Sequence, residues 1–374
     1  MKKAEVFFKN ILLSSLLFIS KFSKNKKEDT SNKFSRILFI RLNRIGDALV
    51  TTPLLHLIKK KLNPKIYLLA DKKNYFIYNN NPDVDEVIVF KRGLKGIKDV
   101  LNIIKKENID TIVDLHDDVS TTVSFIIALS STGNKFGLEK ENKIIYNKTV
   151  PKLDSKKIHV VTRLLEIAKL FNIKTDNSKN WIGYYPSYQS LKKAEDFLKQ
   201  VFSDKNFLIG INISAGSEAR FWGIEKFKSL IEFLLNYKPA LEQANLPAQA
   251  GLNILILSAP KDLHYAEEIR RGITDRERTV IFSSENFEEF AAVISNINIL
   301  FTPDTAAVHI AAAFQIPVFG IYVHDTDDMI WSPYGVDFDC VTTKDSNLKD
   351  INFEEVKNKF KPFLEKRLME IPVK

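Results

Sequence analysis

A chain of 374 residues with a hydrophobic share of 45% has room for two domains with real cores. Its single cysteine, Cys340, excludes a disulfide framework and a thiolate-rich metal site. A formal charge of +9, from 55 Lys and Arg against 46 Asp and Glu, favours anionic partners; without zinc-finger spacing or an RNA-binding aromatic pattern, nucleic acid is a poor one.

In chain order, residues 1–35 read as an amphipathic basic helix and linker. Phe7, Phe8, Ile11, Leu12, Leu16, Phe18, Ile19 and Phe22 share one helical face, with Lys2, Lys3, Lys9, Lys21 and Lys24 opposite. The apolar run is shorter than the roughly 20 residues of a spanning helix. It suits an in-plane helix on an anionic membrane surface or a helix packed on the protein's own body. A signal peptide would need a small-residue cleavage site, and none follows Ile19.

Residues 36–185 read as the first domain. Strands are expected at Arg36–Leu42, Lys65–Ala70, Glu86–Phe90, Thr111–His116 and near Lys135–Leu138. Helices are expected at Ala48–Lys61, Asp71–Asn80, Leu94–Glu107, Val119–Ser130 and Val160–Phe171. Pro53 would break the first of these, so its main part restarts with Thr52 as N-cap. Residues 186–350 repeat the plan. Strands fall at Phe207–Ile213, Leu252–Leu257, Thr279–Phe282, Ile297–Thr302 and Pro317–Tyr322, with helices between them. Residues 238–251 read as a surface insertion. The amphipathic helix Phe353–Met369, within residues 351–374, is expected to pack back toward the first domain. Alternating strands and helices predict an α/β protein: two Rossmann-like domains with parallel sheets, facing a central cleft.

Ligands of such sheets bind at the carboxyl ends of the strands. Gly46 there permits a tight turn, and Asp47 follows at the start of a helix, near Arg41 and Arg44. The helix start and the two arginines favour an ionised carboxylate, suited to act as general base on a hydroxyl. The same aspartate also suits a plain N-cap. Ser214, Ala215 and Gly216 form a small-residue loop, and Arg220 can clamp phosphates. In Thr302–Ala313, Asp304, Thr305 and Ala306 mark a strand-to-helix switch, where backbone amides would meet a diphosphate. His309 lies one turn on, either as a ligand contact or as a hydrogen-bonded core histidine. His116, Lys91 and Arg92 are candidates for the acceptor side. The cluster Asp114-Leu-His116-Asp117-Asp118 fits no specific metal spacing, and no metal site is assigned.

These blocks together resemble glycosyltransferase family 9, the lipopolysaccharide heptosyltransferases, over about residues 36–340. The matching stretches are Ile37–Pro53, with R-x-x-x-x-G-D and T-x-P; Asn81-Pro82-Asp83-Val84-Asp85; Ile211–Phe227, with W-x-x-E-x-F; and Pro303–Tyr334, with D-T-x-x-x-H-x-A-A-A, followed by W-x-P-Y-G at 331–335. The resemblance implies a GT-B fold and inverting transfer from ADP-heptose to the inner-core oligosaccharide on lipid A, without a metal or other cofactor. It implies Asp47 as the base, Arg220 in place of a diphosphate-binding lysine, and Asp304 and Thr305 as donor contacts. Partners would then be a nucleotide sugar, a lipid-linked acceptor and, through the N-terminal helix, the inner face of the cytoplasmic membrane. The chain departs from the pattern at Ser214, Phe221, Gly223, Ala306 and 323–326. These departures bear on donor identity: another nucleotide sugar for a different glycan or protein acceptor is the alternative. A catalytically inactive sugar-nucleotide-binding protein is a third reading, opposed by the retained Gly46-Asp47. An iron-dependent autotransporter heptosyltransferase is disfavoured by the lone cysteine.

Overall fold

The computed structural model describes residues 34–175, 180–202, 206–237, 251–323, 330–343 and 345–370. The N-terminal helix, nearly all of the insertion at 238–251 and the departure at 324–326 lie outside the described residues. The chain divides into two compact units, residues 1–185 and 186–374.

The first unit runs β1 (Arg36–Arg41), α1 (Ile45–Leu49), α2 (Thr52–Leu62), β2 (Lys65–Ala70), β3 (Glu86–Val89), α3 (Leu94–Lys106), β4 (Thr111–Asp114), α4 (Thr121–Leu129), β5 (Asn134–Leu138), β6 (Lys148–Val150) and α5 (Val160–Leu165). Its sheet has the order β3-β2-β1-β4-β5-β6, and its strand pairs are parallel. The second unit runs α6 (Tyr188–Val201), β7 (Phe207–Asn212), α7 (Ile224–Leu235), β8 (Leu252–Ser258), α8 (Leu263–Arg271), β9 (Thr279–Ser283), α9 (Phe287–Ile294), β10 (Ile299–Pro303), α10 (Ala306–Ala313), β11 (Val318–Tyr322), β12 (Phe338–Thr342) and α11 (Phe353–Met369). Its sheet order, β9-β8-β7-β10-β11-β12, repeats the first. Each unit therefore has one point where the chain reverses its direction of winding: between β1 and β4, and between β7 and β10. The central strands β4, β7 and β10 are buried along their length, and β1 is buried after its first residue, Arg36, as expected for parallel strands with both faces covered.

Several local expectations change. The helix expected from Ala48 splits into α1 and α2, with Thr51 rather than Thr52 as the N-cap residue and Pro53 in the first turn. The hydroxyls of Thr51 and Thr52 bond back to Ala48 O and Leu49 O at 2.6 and 2.7 Å, closing the break. The helix expected over Asp71–Asn80 is one 3₁₀ turn, Tyr75–Ile77. There Asn74 Oδ1 accepts from the Asp71 amide at 2.9 Å, and its Nδ2 donates to the carbonyls of Arg41 and Asn43 at 3.2 and 3.0 Å. Side chain thus competes with helix, and the end of β2 is tied to the end of β1. Strands β6 and β12 were not foreseen; both are edge strands, and β12 carries Asp339.

The C-terminal helix is the main correction. The buried face of α11 (Val356, Phe360, Phe363, Leu364, Leu368) belongs to the second unit's own core. The Phe360 ring lies 4.9 Å from Phe319 and 5.6 Å from Phe301, and the Trp222 indole donates to Ile351 O at 3.0 Å just before the helix. The amphipathic pattern identified the apolar face but carried no information on what covers it.

Candidate active site

The first centre lies where β1 and β4 end side by side, with Ile40 opposite Asp114. Asp47 is the third residue of α1. Its Oδ2 accepts the Arg44 amide at 3.3 Å, closing the helix start, and its Oδ1 meets Arg41 Nη2 at 2.7 Å. The base and capping readings therefore describe one carboxylate. A carboxylate offers about four lone-pair sites, and Asp47 remains 18% exposed, so it is open to a reacting hydroxyl. Arg41 is fully buried. It also donates through Nε to Asp47 O at 3.1 Å and through Nη1 to Leu115 O. Gly46 is the second residue of α1, directly before Asp47. Arg44 is exposed at the N-cap.

His116 is not a surface group. It is buried, its Nδ1 bonds Asp114 Oδ1 at 2.7 Å, and its Nε2 accepts from the Leu42 amide at 3.1 Å. Asp114 also takes Lys140 Nζ at 2.8 Å and the Tyr146 hydroxyl at 2.6 Å. Burial alone would raise the Asp114 carboxyl, but the hydrogen bonds from His116 and Lys140 and the Lys140 ammonium oppose it and hold it below the usual carboxylate range. Burial, then Asp114, pushes the Tyr146 phenol far up. Asp117 pairs with Arg163 at 3.0 Å and Asp118 with Lys152 at 3.5 Å, so the acidic run is spread over separate partners. Among the described residues no three His, Cys, Asp or Glu side chains converge on a metal position. Lys91 and Arg92 lie exposed on the loop after β3, with Arg92 3.3 Å from Asp71.

The second centre lies between the ends of β7 and β10. Buried Asn212 organises it: its Nδ2 is within 2.9 Å of Thr302 Oγ1, 3.3 Å of Thr305 Oγ1 and 3.2 Å of Ser214 O, and its Oδ1 accepts from the Ser214 amide at 3.2 Å. Ser214 Oγ accepts the Ala259 amide at 2.7 Å, and Lys261 Nζ reaches Ala215 O at 3.2 Å, so Ser214, Ala215 and Gly216 form a pinned loop. Arg220 bonds Asp304 O at 3.1 Å and lies 3.3 Å from Asp304 Oδ2. Thr305 is the N-cap of α10, and its hydroxyl accepts the Ala307 amide at 3.3 Å; that amide, expected to face a ligand, is capped internally. Ala306 opens the helix. His309 is buried on α10, its ring edge-on to Trp331 at 6.0 Å. The structure thus gathers Ser214, Arg220, Asp304 and Thr305 at one switch point. Asn212, Lys261, Lys140 and Tyr146 were missed. Asn212, Lys140 and Lys261 each stand at or just beyond a strand's carboxyl end, a signal within reach; Tyr146 arrives from later in the β5–β6 connection, which has no such signal.

Asn212→Ala is expected to cost about 1–3 kcal/mol by stranding buried partners, read by chemical denaturation.

The family model for glycosyltransferase family 9 (heptosyltransferase) matches residues 99–361. Lipopolysaccharide heptosyltransferase 3 of Escherichia coli K12 is 24% identical over 303 residues, covering 77% of this chain and 82% of the relative. A glycosyltransferase family 9 structure from Veillonella parvula aligns at TM-score 0.76 and 19% identity, covering 89% of this chain and 98% of that one. The Escherichia coli heptosyltransferase WaaC with ADP aligns at TM-score 0.67 and 17% identity, covering 90% and 100%. The fold is therefore the GT-B type.

Proposed function

Because the chain belongs to glycosyltransferase family 9, the heptosyltransferase family, we propose that this glycosyltransferase moves heptose from ADP-heptose to the inner-core oligosaccharide of lipopolysaccharide with inversion. The observation that carries the reading is Asp47: a partly exposed carboxylate, held by buried Arg41 at the switch point of the first unit. In the proposed step Asp47 takes the acceptor hydroxyl's proton as that oxygen bonds the anomeric carbon. The bond from that carbon to the diphosphate breaks, and ADP leaves with the electron pair. Arg220 and the start of α10 offset the charge developing on the leaving group, a task that this reading leaves without a metal. The relatives' names, an ADP complex among the similar structures and the retained motif residues support the donor assignment. The acceptor is lipid-linked, and the basic, amphipathic first 35 residues suit peripheral attachment at the inner face of the cytoplasmic membrane.

The test is transfer from ADP-heptose to heptose-deficient lipopolysaccharide, preceded by thermal shifts with ADP, ADP-heptose, UDP, UDP-glucose and GDP-mannose. Stabilisation confined to the adenine compounds supports the reading; stabilisation by UDP or GDP compounds instead overturns the donor. Arg220→Ala is expected to raise the donor KM about 10–100-fold, since it removes a charge-assisted contact and leaves Asp304 facing the diphosphate. Donor-dependence curves check this.

A further inference from the structure

We propose that Asp114, His116, Lys140 and Tyr146 are positioning residues that fix the Asp47 carboxylate through Arg41; the inference rests on Asp47 being the base. Among the described residues the Asp47 side chain's one ion pair is with Arg41, so the base is as well placed as that guanidinium is. Arg41 is held on its far side by the carbonyl of Leu115. Leu115 lies between Asp114 and His116, and the network closes around it. Asp114 Oδ1 accepts both the amide and Nδ1 of His116, at 3.0 and 2.7 Å, which locks the turn. The Leu115 amide donates to Ile40 O at 3.2 Å, continuing the sheet ladder. His116 Nε2 then accepts the amide of Leu42, the residue after Arg41, at 3.1 Å. The ends of β1 and β4 are thus clamped twice within one residue of the arginine. Because Leu42 donates to Nε2, the His116 proton is on Nδ1, and the ring is neutral in this arrangement.

Lys140 completes the clamp from the β5–β6 connection. Its Nζ bonds Asp114 Oδ2 and His116 O, both at 2.8 Å, while Tyr146 adds its hydroxyl to Asp114 Oδ2 at 2.6 Å. Two positive and two negative side chains therefore balance: Arg41 and Lys140 against Asp47 and Asp114. A buried ion pair is a poor device for stability alone, because well-packed apolar residues serve as well or better. Its use here is directional. Apolar residues would fill the space but would not fix the Leu115 carbonyl that orients Arg41.

The experiment compares Asp47→Asn, His116→Ala, His116→Gln, Tyr146→Phe and a control, Ile127→Ala, which opens a cavity in the core of the same unit. Transfer from ADP-heptose to heptose-deficient lipopolysaccharide gives kcat and donor KM; melting temperature reports folding. His116→Ala is expected to lower kcat about 10–100-fold, the scale of a small misplacement of a reacting group, with donor KM unchanged. His116→Gln, whose amide oxygen can again accept from Leu42, recovers much of that loss. Tyr146→Phe, the mildest change, lowers kcat several-fold. The proposal is overturned if His116→Ala and Tyr146→Phe keep kcat within about twofold of the parent while Asp47→Asn has lost it. It is also overturned if Ile127→Ala loses kcat to the same degree. If Asp47→Asn remains fully active, the base assignment itself fails, and this inference with it.

Discussion

With Asp47 as the proposed base, Asp47→Asn is expected to lower kcat for heptosyl transfer by about 10²–10⁴-fold, the range for removing a positioned general base, and to leave ADP binding intact. The amide oxygen can still accept from the Arg44 amide, so the start of α1 is kept. What is lost is the negative charge and the capacity to take a proton. Arg41 then has no carboxylate opposite it, which costs stability because the guanidinium is buried. Asp47 is itself partly solvated, so the loss is at the lower end for such pairs. The thermal shift with ADP separates the two effects, since the proposed diphosphate contacts, Arg220 and the start of α10, belong to the second unit. Parent-like kcat in a folded Asp47→Asn protein would remove Asp47 from the reaction.

Lys140→Met is expected to destabilise the first unit by about 3–5 kcal/mol, the cost of leaving one member of a buried pair uncompensated. Asp114 would then keep only the His116 and Tyr146 hydrogen bonds, with no ammonium beside it. The pH dependence has a definite sign. In the parent, the Asp114 carboxyl is held below its ordinary value despite burial. It therefore contributes stability above the unfolded value of about 4 and loses it as pH falls below that value. Without Lys140 its share of that contribution is missing, so the gap between variant and parent is widest near neutral pH and narrows in acid. Urea unfolding at several pH values measures it. With two units, the transition must be followed by a signal from the first unit, such as Trp181 fluorescence with Trp222 and Trp331 replaced. A constant gap across pH would contradict the assignment of the loss to Asp114.

The alternation of strands and helices was legible because buried parallel strands are continuous apolar runs, as in Ile37–Ile40 and Ile299–Phe301. Asp47, Arg220, Asp304 and Thr305 were legible because each follows such a run where a helix or turn begins. The covering of α11 was not, since an apolar stripe of Val356, Phe360 and Leu364 reads alike against either unit. Nor was the inward turn of His116: its position after β4 suggested a rim, and only the Leu42 amide and the Asp114 carboxylate together take it inside. Lys140, lying between charged residues, reads as solvated surface; its partner is 26 residues earlier.

That α11 is built into the second core bears on how such chains recombine. An exchange of halves needs one join, near residues 185 and 186, because everything after that point, the last helix included, travels with the core it completes. A gene fragment encoding the second half carries its own last helix with it. If Asp47 accepts the proton and Arg220 with the start of α10 holds the leaving group, as proposed, the two tasks are carried by separate units, and residues serving one can change while Asp47 and its supports stay as they are.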